Sequence, residues 1–121
     1  MDMTPLIKEG SKVIQSYSDE AITVNGERFE ENIIVTPDEI VSFSGKLFEE
    51  LDISDLQVLE GKNIDVLLVG TGEEQKFFSG EIKDFLKLID IVSETMTSGA
   101  AARTYNVLMA EGRHIAALFI L

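Results

Sequence analysis

The distribution of hydrophobic and polar residues divides the chain into two halves with different predicted secondary structure. In the first half, apolar residues occur in short β-prone runs that are separated by polar turns. In the second half, apolar runs typical of buried strands alternate with segments of helical periodicity. An antiparallel region followed by alternating strands and helices is typical of an α/β protein with a mixed sheet.

The first half is predicted to form short antiparallel strands. Asn25 and Gly26 favour a type I′ turn, because both residues tolerate a positive φ angle. The return strand of this hairpin is expected at Glu27–Phe29. The other strands predicted here cover residues 12–16, 21–24, 32–35 and 40–44. Beyond them, Ser54 is expected to cap a short helical turn that runs into Leu59.

The second half predicts three buried strands and two helices. The strands cover residues 64–69, 91–96 and 114–121, and the last is apolar on both faces, so it should lie inside a sheet. Ser79 is expected to cap the first helix, and Thr97 or Ser98 the second. The second helix should run to about Glu111 and stop at Gly112.

These elements predict one domain of 121 residues with three layers. A central mixed β-sheet should carry helices on one face and a small antiparallel β-layer on the other. The hydrophobic fraction of 45% is sufficient for one core and too high for a disordered chain.

The charge of the chain restricts its partners. The formal net charge is −12, and residues 1–60 carry 14 acidic and 4 basic side chains, whereas residues 61–121 carry 8 and 6. Such a surface repels phosphate backbones, so we expect no nucleic-acid binding. The longest apolar stretch, residues 115–121, is too short to span a membrane. With no basic, apolar leader pattern in residues 1–5, the expected location is cytoplasmic.

Residues with catalytic or metal-binding chemistry are few. The chain has no cysteine and a single histidine, His114, and it lacks a Gly-x-Ser-x-Gly motif. We therefore assign no catalytic residues, no metal site and no cofactor, and we expect no enzymatic activity.

The turn Gly70-Thr71-Gly72 has two interpretations. It follows a buried strand, which is where α/β proteins often bind ligands. However, it lacks the glycine spacing of nucleotide-binding loops, and the acidic Glu73 and Glu74 follow it. It is therefore either a tight turn that needs glycine or part of a ligand-binding loop.

The second helix predicted in the second half of the chain provides the other candidate surface. Its first turn contains small residues, and free N–H groups at a helix start attract anions. Arg103, Asn106 and Arg113 lie along one predicted stripe of this helix and its end. Together with Thr97 and Ser98, they could bind an anion or an acidic protein surface. Alternatively, Arg103 and Asn106 could tie the helix to neighbouring loops.

The ordered set of motifs resembles domain-of-unknown-function family 498, which includes mitochondrial complex I assembly factor 3 and a mammalian adipogenesis-associated protein. The resemblance covers roughly residues 12–121. The motifs that carry it are Asn25-Gly26, Ile33-Ile34-Val35 with Pro37, Asp65-Val66-Leu67-Leu68-Val69-Gly70-Thr71-Gly72, Met96-Thr97, Arg103-Thr104-Tyr105-Asn106-Val107-Leu108 and Glu111-Gly112-Arg113. It implies a three-layer α/β fold and no established enzyme activity.

The resemblance and the lack of catalytic groups together predict a protein-interaction or assembly module. Its partner would be a subunit of a membrane complex or its assembly machinery, and the chain itself would not insert into the membrane. The alternative is a protein that binds a small anionic ligand near the start of the second helix. The oligomeric state is left open by the sequence.

Overall fold

The protein is described by a computed structural model that covers residues 10–18, 21–42 and 47–121. The strands in these ranges are β1 (Ile14–Tyr17), β2 (Ile22–Val24), β3 (Glu27–Phe29), β4 (Ile33–Val35), β5 (Ile40–Ser42), β6 (Val66–Gly70), β7 (Val92–Met96) and β8 (Ile115–Phe119). The helices are α1 (Ile53–Leu56), α2 (Gly80–Leu88) and α3 (Ser98–Ala110), and 3₁₀ turns cover Phe48–Glu50 and Gln57–Leu59. The last residues of the strand predicted at 40–44 lie outside the described ranges.

The central sheet has five strands in the order β5-β4-β8-β6-β7. Strand β6 is parallel to both β7 and β8, whereas β4 is antiparallel to β5 and β8. All five residues of β8 are buried, because strands flank it on both sides and packed layers cover both faces. The prediction that the last strand lies inside a sheet is confirmed.

A second, three-stranded antiparallel sheet is formed by β1, β2 and β3. The turn between β2 and β3 has positive φ angles at Asn25 and Gly26, 49° and 85°, as predicted for a type I′ hairpin. Asn25 also joins the turn to the chain before β1, because its side chain accepts a hydrogen bond from the amide of Val13 at 2.8 Å. The three-layer α/β class predicted from the sequence is thereby confirmed.

The placement of one helix differs from the prediction. Helices α1 and α2 cover one face of the central sheet, and the small sheet lies on the other face, as expected. Helix α3, however, packs on the same face as the small sheet, where Ala101 and Tyr105 join Ile14 and Ile22 in one core. The chain passes outward from β6 to β7 and then back past β6 to β8. Because crossovers between parallel strands are right-handed, these opposite directions place α2 and α3 on opposite faces.

The helix caps agree with the sequence at α2 but not at α1. Ser79 caps α2 by accepting a hydrogen bond from the amide of Ile82. At α1 the cap is Asp52, whose side chain accepts from the amide of Asp55, and Ser54 lies within the helix. The prediction of Ser54 as cap was wrong, because a carboxylate two residues earlier already satisfies the free amide group.

Candidate functional site

The first candidate site lies where the three parallel strands end. Gly70 of β6 is aligned with Met96 of β7 and Phe119 of β8, so the carboxyl ends of these strands share one edge of the sheet. Helix α3 begins at this edge, directly after β7. The structure therefore brings together five of the residues predicted from the sequence, namely Gly70, Thr71, Gly72, Thr97 and Ser98.

Gly70 is required here because α3 starts directly against the end of β6. A β-carbon at this position would lie 2.9 Å from the ring of Phe119, from the Cα of Ser98 and from the Oγ of Ser98. Two of these atoms belong to fully buried side chains, and the third is backbone. The absence of a side chain at Gly70 thus permits the close contact between strand and helix.

Gly72 and Ser98 satisfy each other's polar groups. The amide of Ser98 donates to the carbonyl oxygen of Gly72 at 2.9 Å, and the amide of Gly72 donates to the Oγ of Ser98 at 2.8 Å. Ser98 is completely buried. These groups, which the sequence suggested for anion binding, are therefore engaged within the protein. Thr97 occupies the cap position of α3 without a capping bond from its side chain.

The side chain of Thr71 stabilises the turn that follows β6 by hydrogen bonds. Its Oγ1 lies 2.6 Å from the carbonyl oxygen of Glu74 and 3.1 Å from that of Met96. The same oxygen accepts a hydrogen bond from the amide of Lys76 at 3.2 Å. Since Thr71 is buried, this hydrogen bonding supports the interpretation of residues 70–72 as a tight turn.

Arg103 presents a charge at the surface beside this turn. A β-carbon at Gly99 would lie 3.6 Å from the Nη1 of Arg103 and 3.7 Å from the ring of Tyr17, so both side chains lie close to the first turn of α3. Arg103 is exposed and forms no ion pair with the described residues. We call the surface formed by Tyr17, Gly72, Gly99 and Arg103 the helix-start surface.

A shallow depression of about 420 Å³ adjoins the helix-start surface, and Tyr17, Thr71 and Gly72 contribute to its lining. Lys76 also lines it, and its ammonium group pairs with the carboxylate of Glu49 at 2.6 Å. This hydrogen bond holds the pKa of Glu49 below its usual value. Glu73 and Glu74 line the depression as well, so it has both acidic and basic groups at its edge.

Asn106 and Arg113 do not belong to this surface. The side chain of Asn106 accepts from the amide of Ile14 at 3.0 Å and donates to the carbonyl of Ile14 at 2.7 Å, which ties α3 to β1. Arg113 follows the end of α3, about 15 Å along the helix axis from Arg103 by the rise per residue. The stripe predicted from the sequence is therefore divided between the two ends of the helix.

A second cleft, which the sequence did not predict, lies at the end of α3 that carries Arg113. It is lined by residues from four separated parts of the chain, including Asp38, Lys62, Arg113 and His114. The Nδ1 of His114 lies 3.7 Å from the Oδ2 of Asp65, and both side chains are more than half exposed. No sequence motif joins these residues, because only the folded chain places them around one cleft.

Neither a metal centre nor a membrane span is found in the part of the chain that the structure describes. In those residues, no three His, Asp or Glu side chains form a group that could ligate a metal ion. Their helices also lack the combination of length and apolar character that crossing a bilayer requires.

The fold and this edge of the sheet define a class of three-layer mixed α/β proteins that is known from solved structures. A protein from Bordetella parapertussis is 35% identical, with a TM-score of 0.84 over 91% of this chain and 95% of its own. A Bordetella pertussis protein, described as a Mth938-like domain, is 28% identical, with a TM-score of 0.81 over 98% of this chain and 91% of its own.

The chain belongs to the family of proteins of unknown function DUF498/DUF598, whose profile matches residues 14–120. The family predicted from the sequence is thereby confirmed. A relative from Xenopus tropicalis, NADH dehydrogenase [ubiquinone] 1 alpha subcomplex assembly factor 3, is 25% identical over 109 residues. That alignment covers 88% of this chain, which spans 60% of the length of the assembly factor.

Proposed function

We propose that this protein is an assembly module that binds a protein partner during the formation of a respiratory or other membrane complex. The observation that carries the proposal is its similarity, over most of its length, to a protein named as an assembly factor for NADH dehydrogenase. In this proposal the protein acts by binding and not by catalysis, and it works from the cytoplasmic side of its partner.

The helix-start surface is the proposed contact. Arg103 is an exposed guanidinium without an ion-pair partner among the described residues, in a chain with a net charge of −12. Tyr17 lies beside it, and tyrosine and arginine are enriched among the residues that dominate binding energy at protein interfaces. A carboxylate on the partner would pair with Arg103, while its apolar neighbour would pack on the ring of Tyr17.

The test is affinity capture of the tagged protein from its native cell extract with solubilised membranes, followed by mass spectrometry. We expect enrichment of subunits or assembly factors of a membrane-bound respiratory complex. Arg103→Ala should reduce the recovery of that partner about tenfold or more, because an arginine at the centre of an interface carries a large part of the binding energy.

Arg113→Ala is the matched control, because Arg113 is also exposed and unpaired among the described residues but lies at the other end of α3. It should leave the capture unchanged. Equal losses in both variants would point to overall charge and contradict the assignment of the helix-start surface. A folded Arg103→Ala variant that still captures the partner fully would refute that assignment as well. If wild-type protein enriches no component of a membrane complex, the assembly proposal itself fails.

A further inference from the structure

The cleft at the far end of α3 has the form of a small-molecule site. Its volume is about 340 Å³, and four separated segments contribute to it: Ser11, the turn between β4 and β5, residues 62–64 before β6, and residues 109 and 112–115 from the end of α3 to the start of β8. A volume of this size is within the range of clefts that hold small ligands. The cleft is separate from the helix-start surface and shares none of its residues.

Two charges of opposite sign, neither paired within the part of the chain that the structure describes, line this cleft. Arg113 and Asp38 both contribute to the lining, yet neither forms an ion pair, with the other or with any other residue that the structure describes. Lys62 and Glu39 also line the cleft, but their side chains pair with each other at 2.9 Å. Within the described ranges, one cation and one anion without an ion-pair partner therefore line the same cleft.

The position of Asp38 is fixed by the backbone around it. The Oγ1 of Thr36 accepts hydrogen bonds from the amides of Asp38 and Glu39, at 3.3 and 3.1 Å, which closes a tight turn. The Asp38 carboxylate acts on the buried hydroxyl of Tyr105, whose pKa is raised by burial first and by this charge second. The turn thus fixes the backbone of Asp38, whose exposed side chain contributes to the lining of the cleft.

The inner lining of the cleft is apolar. Ile64, Met109 and Ile115 contribute to it and are themselves 8%, 4% and 1% exposed. They belong to the two core clusters on opposite faces of the central sheet, so the cleft reaches the cores on both faces. An apolar group of a ligand could contact this lining while its charged groups remain at the rim.

We propose that this cleft binds a free α-amino acid with an apolar side chain. The ligand carboxylate pairs with the guanidinium of Arg113, the ligand ammonium pairs with the carboxylate of Asp38, and the side chain contacts Ile64, Met109 and Ile115. A simple anion fits less well, because the carboxylate of Asp38 would repel it. A simple cation fits less well, because the guanidinium of Arg113 would repel it.

The experiment titrates the ¹⁵N-labelled protein with three probes and follows the amide chemical shifts of the protein. L-leucine carries both charges, L-leucinamide keeps only the ammonium group, and N-acetyl-L-leucine keeps only the carboxylate. We expect saturable shifts at residues around the cleft, such as Asn63, Gly112 and Ile115. Each derivative should bind about tenfold or more weakly than L-leucine, since each loses one charge-assisted interaction.

Two variants assign the charges separately. Arg113→Gln should weaken the binding of L-leucine about tenfold. It should not weaken the binding of L-leucinamide and should strengthen it slightly, because that probe has no carboxylate and the variant removes a charge that repels its ammonium group. Asp38→Asn should weaken the binding of L-leucine similarly, but it should not weaken the binding of N-acetyl-L-leucine and should strengthen it slightly, because the variant removes a charge that repels the carboxylate of this probe. Both side chains are exposed, so both variants are expected to fold. Arg103→Gln, at the other end of α3, is the control and should bind L-leucine like the wild type.

The proposal is overturned if L-leucine gives no saturable shifts around the cleft, or if all three probes bind equally. It is also overturned if either variant weakens every probe to the same extent, because the loss would then come from altered structure. Selective losses in both variants, with normal binding by Arg103→Gln, would support an amino-acid site. The outcome is independent of the partner capture described above, since the two surfaces lie at opposite ends of α3.

Discussion

Replacing Gly70 with alanine is expected to lower the free energy of unfolding by about 1–3 kcal/mol. The added β-carbon would lie 2.9 Å from atoms of Phe119 and Ser98, and all of these atoms are held by the core or by the backbone. Relief would require α3 to move away from β6 and would disturb the hydrogen bonds between Gly72 and Ser98. Chemical denaturation of the variant and the wild type measures the effect.

Gly80→Ala is the matched control for this prediction. Gly80 begins α2, and a β-carbon there would have no atom within 4 Å. Alanine at this site should leave stability unchanged or raise it by about 0.4–1 kcal/mol, because it reduces the entropy of the unfolded chain. If Gly70→Ala were as stable as Gly80→Ala, the close packing of α3 against β6 would not be the reason for glycine at position 70.

Replacing Asn106 with alanine is expected to cost about 1–3 kcal/mol of folding free energy. Its amide group forms hydrogen bonds with both the amide and the carbonyl of Ile14, so the substitution leaves two backbone groups of β1 without these partners. It also removes a direct link between α3 and the small sheet. Amide hydrogen exchange should show loss of protection at Ile14 in addition to the lower global stability.

Two further variants separate this role from a general effect of substitution on α3. Val107→Ala changes the adjacent residue, whose side chain is 57% exposed, and should alter stability by less than about 0.5 kcal/mol. Asn106→Asp keeps an acceptor for the Ile14 amide but sets a carboxylate against the Ile14 carbonyl, so it should also destabilise. A stable Asn106→Ala variant with normal protection at Ile14 would show that the two bonds contribute little.

These predictions affect how binding experiments are interpreted. Gly70, Gly72, Ser98 and Asn106 each have contacts within the protein that account for their presence. A loss of partner capture in variants of these residues would therefore reflect altered structure and would not identify a binding surface. Arg103 is the more informative position, because its side chain is exposed and makes no ion pair with the described residues.

Local sequence patterns were sufficient to predict most elements of the fold. The Asn25-Gly26 turn was predictable because few residue pairs accept two positive φ angles. The internal position of β8 was predictable because its residues are apolar on both faces, which an edge or half-exposed strand does not require. The cap of α1 was missed, since Ser54 and Asp52 are both good caps and the sequence does not choose between them.

The sequence by itself determined the fold class, the family and the set of residues at the end of β6 and the start of α3. The tertiary structure alone decided which residues of this region form internal hydrogen bonds, as Ser98 and Asn106 do, and which present an exposed charge, as Arg103 does. It also placed α3 on the face of the small sheet and brought Asp38 and Arg113 to one cleft. The physical reason is that local patterns report backbone preference and burial, whereas contacts between distant segments depend on the order and direction of the strands that carry them.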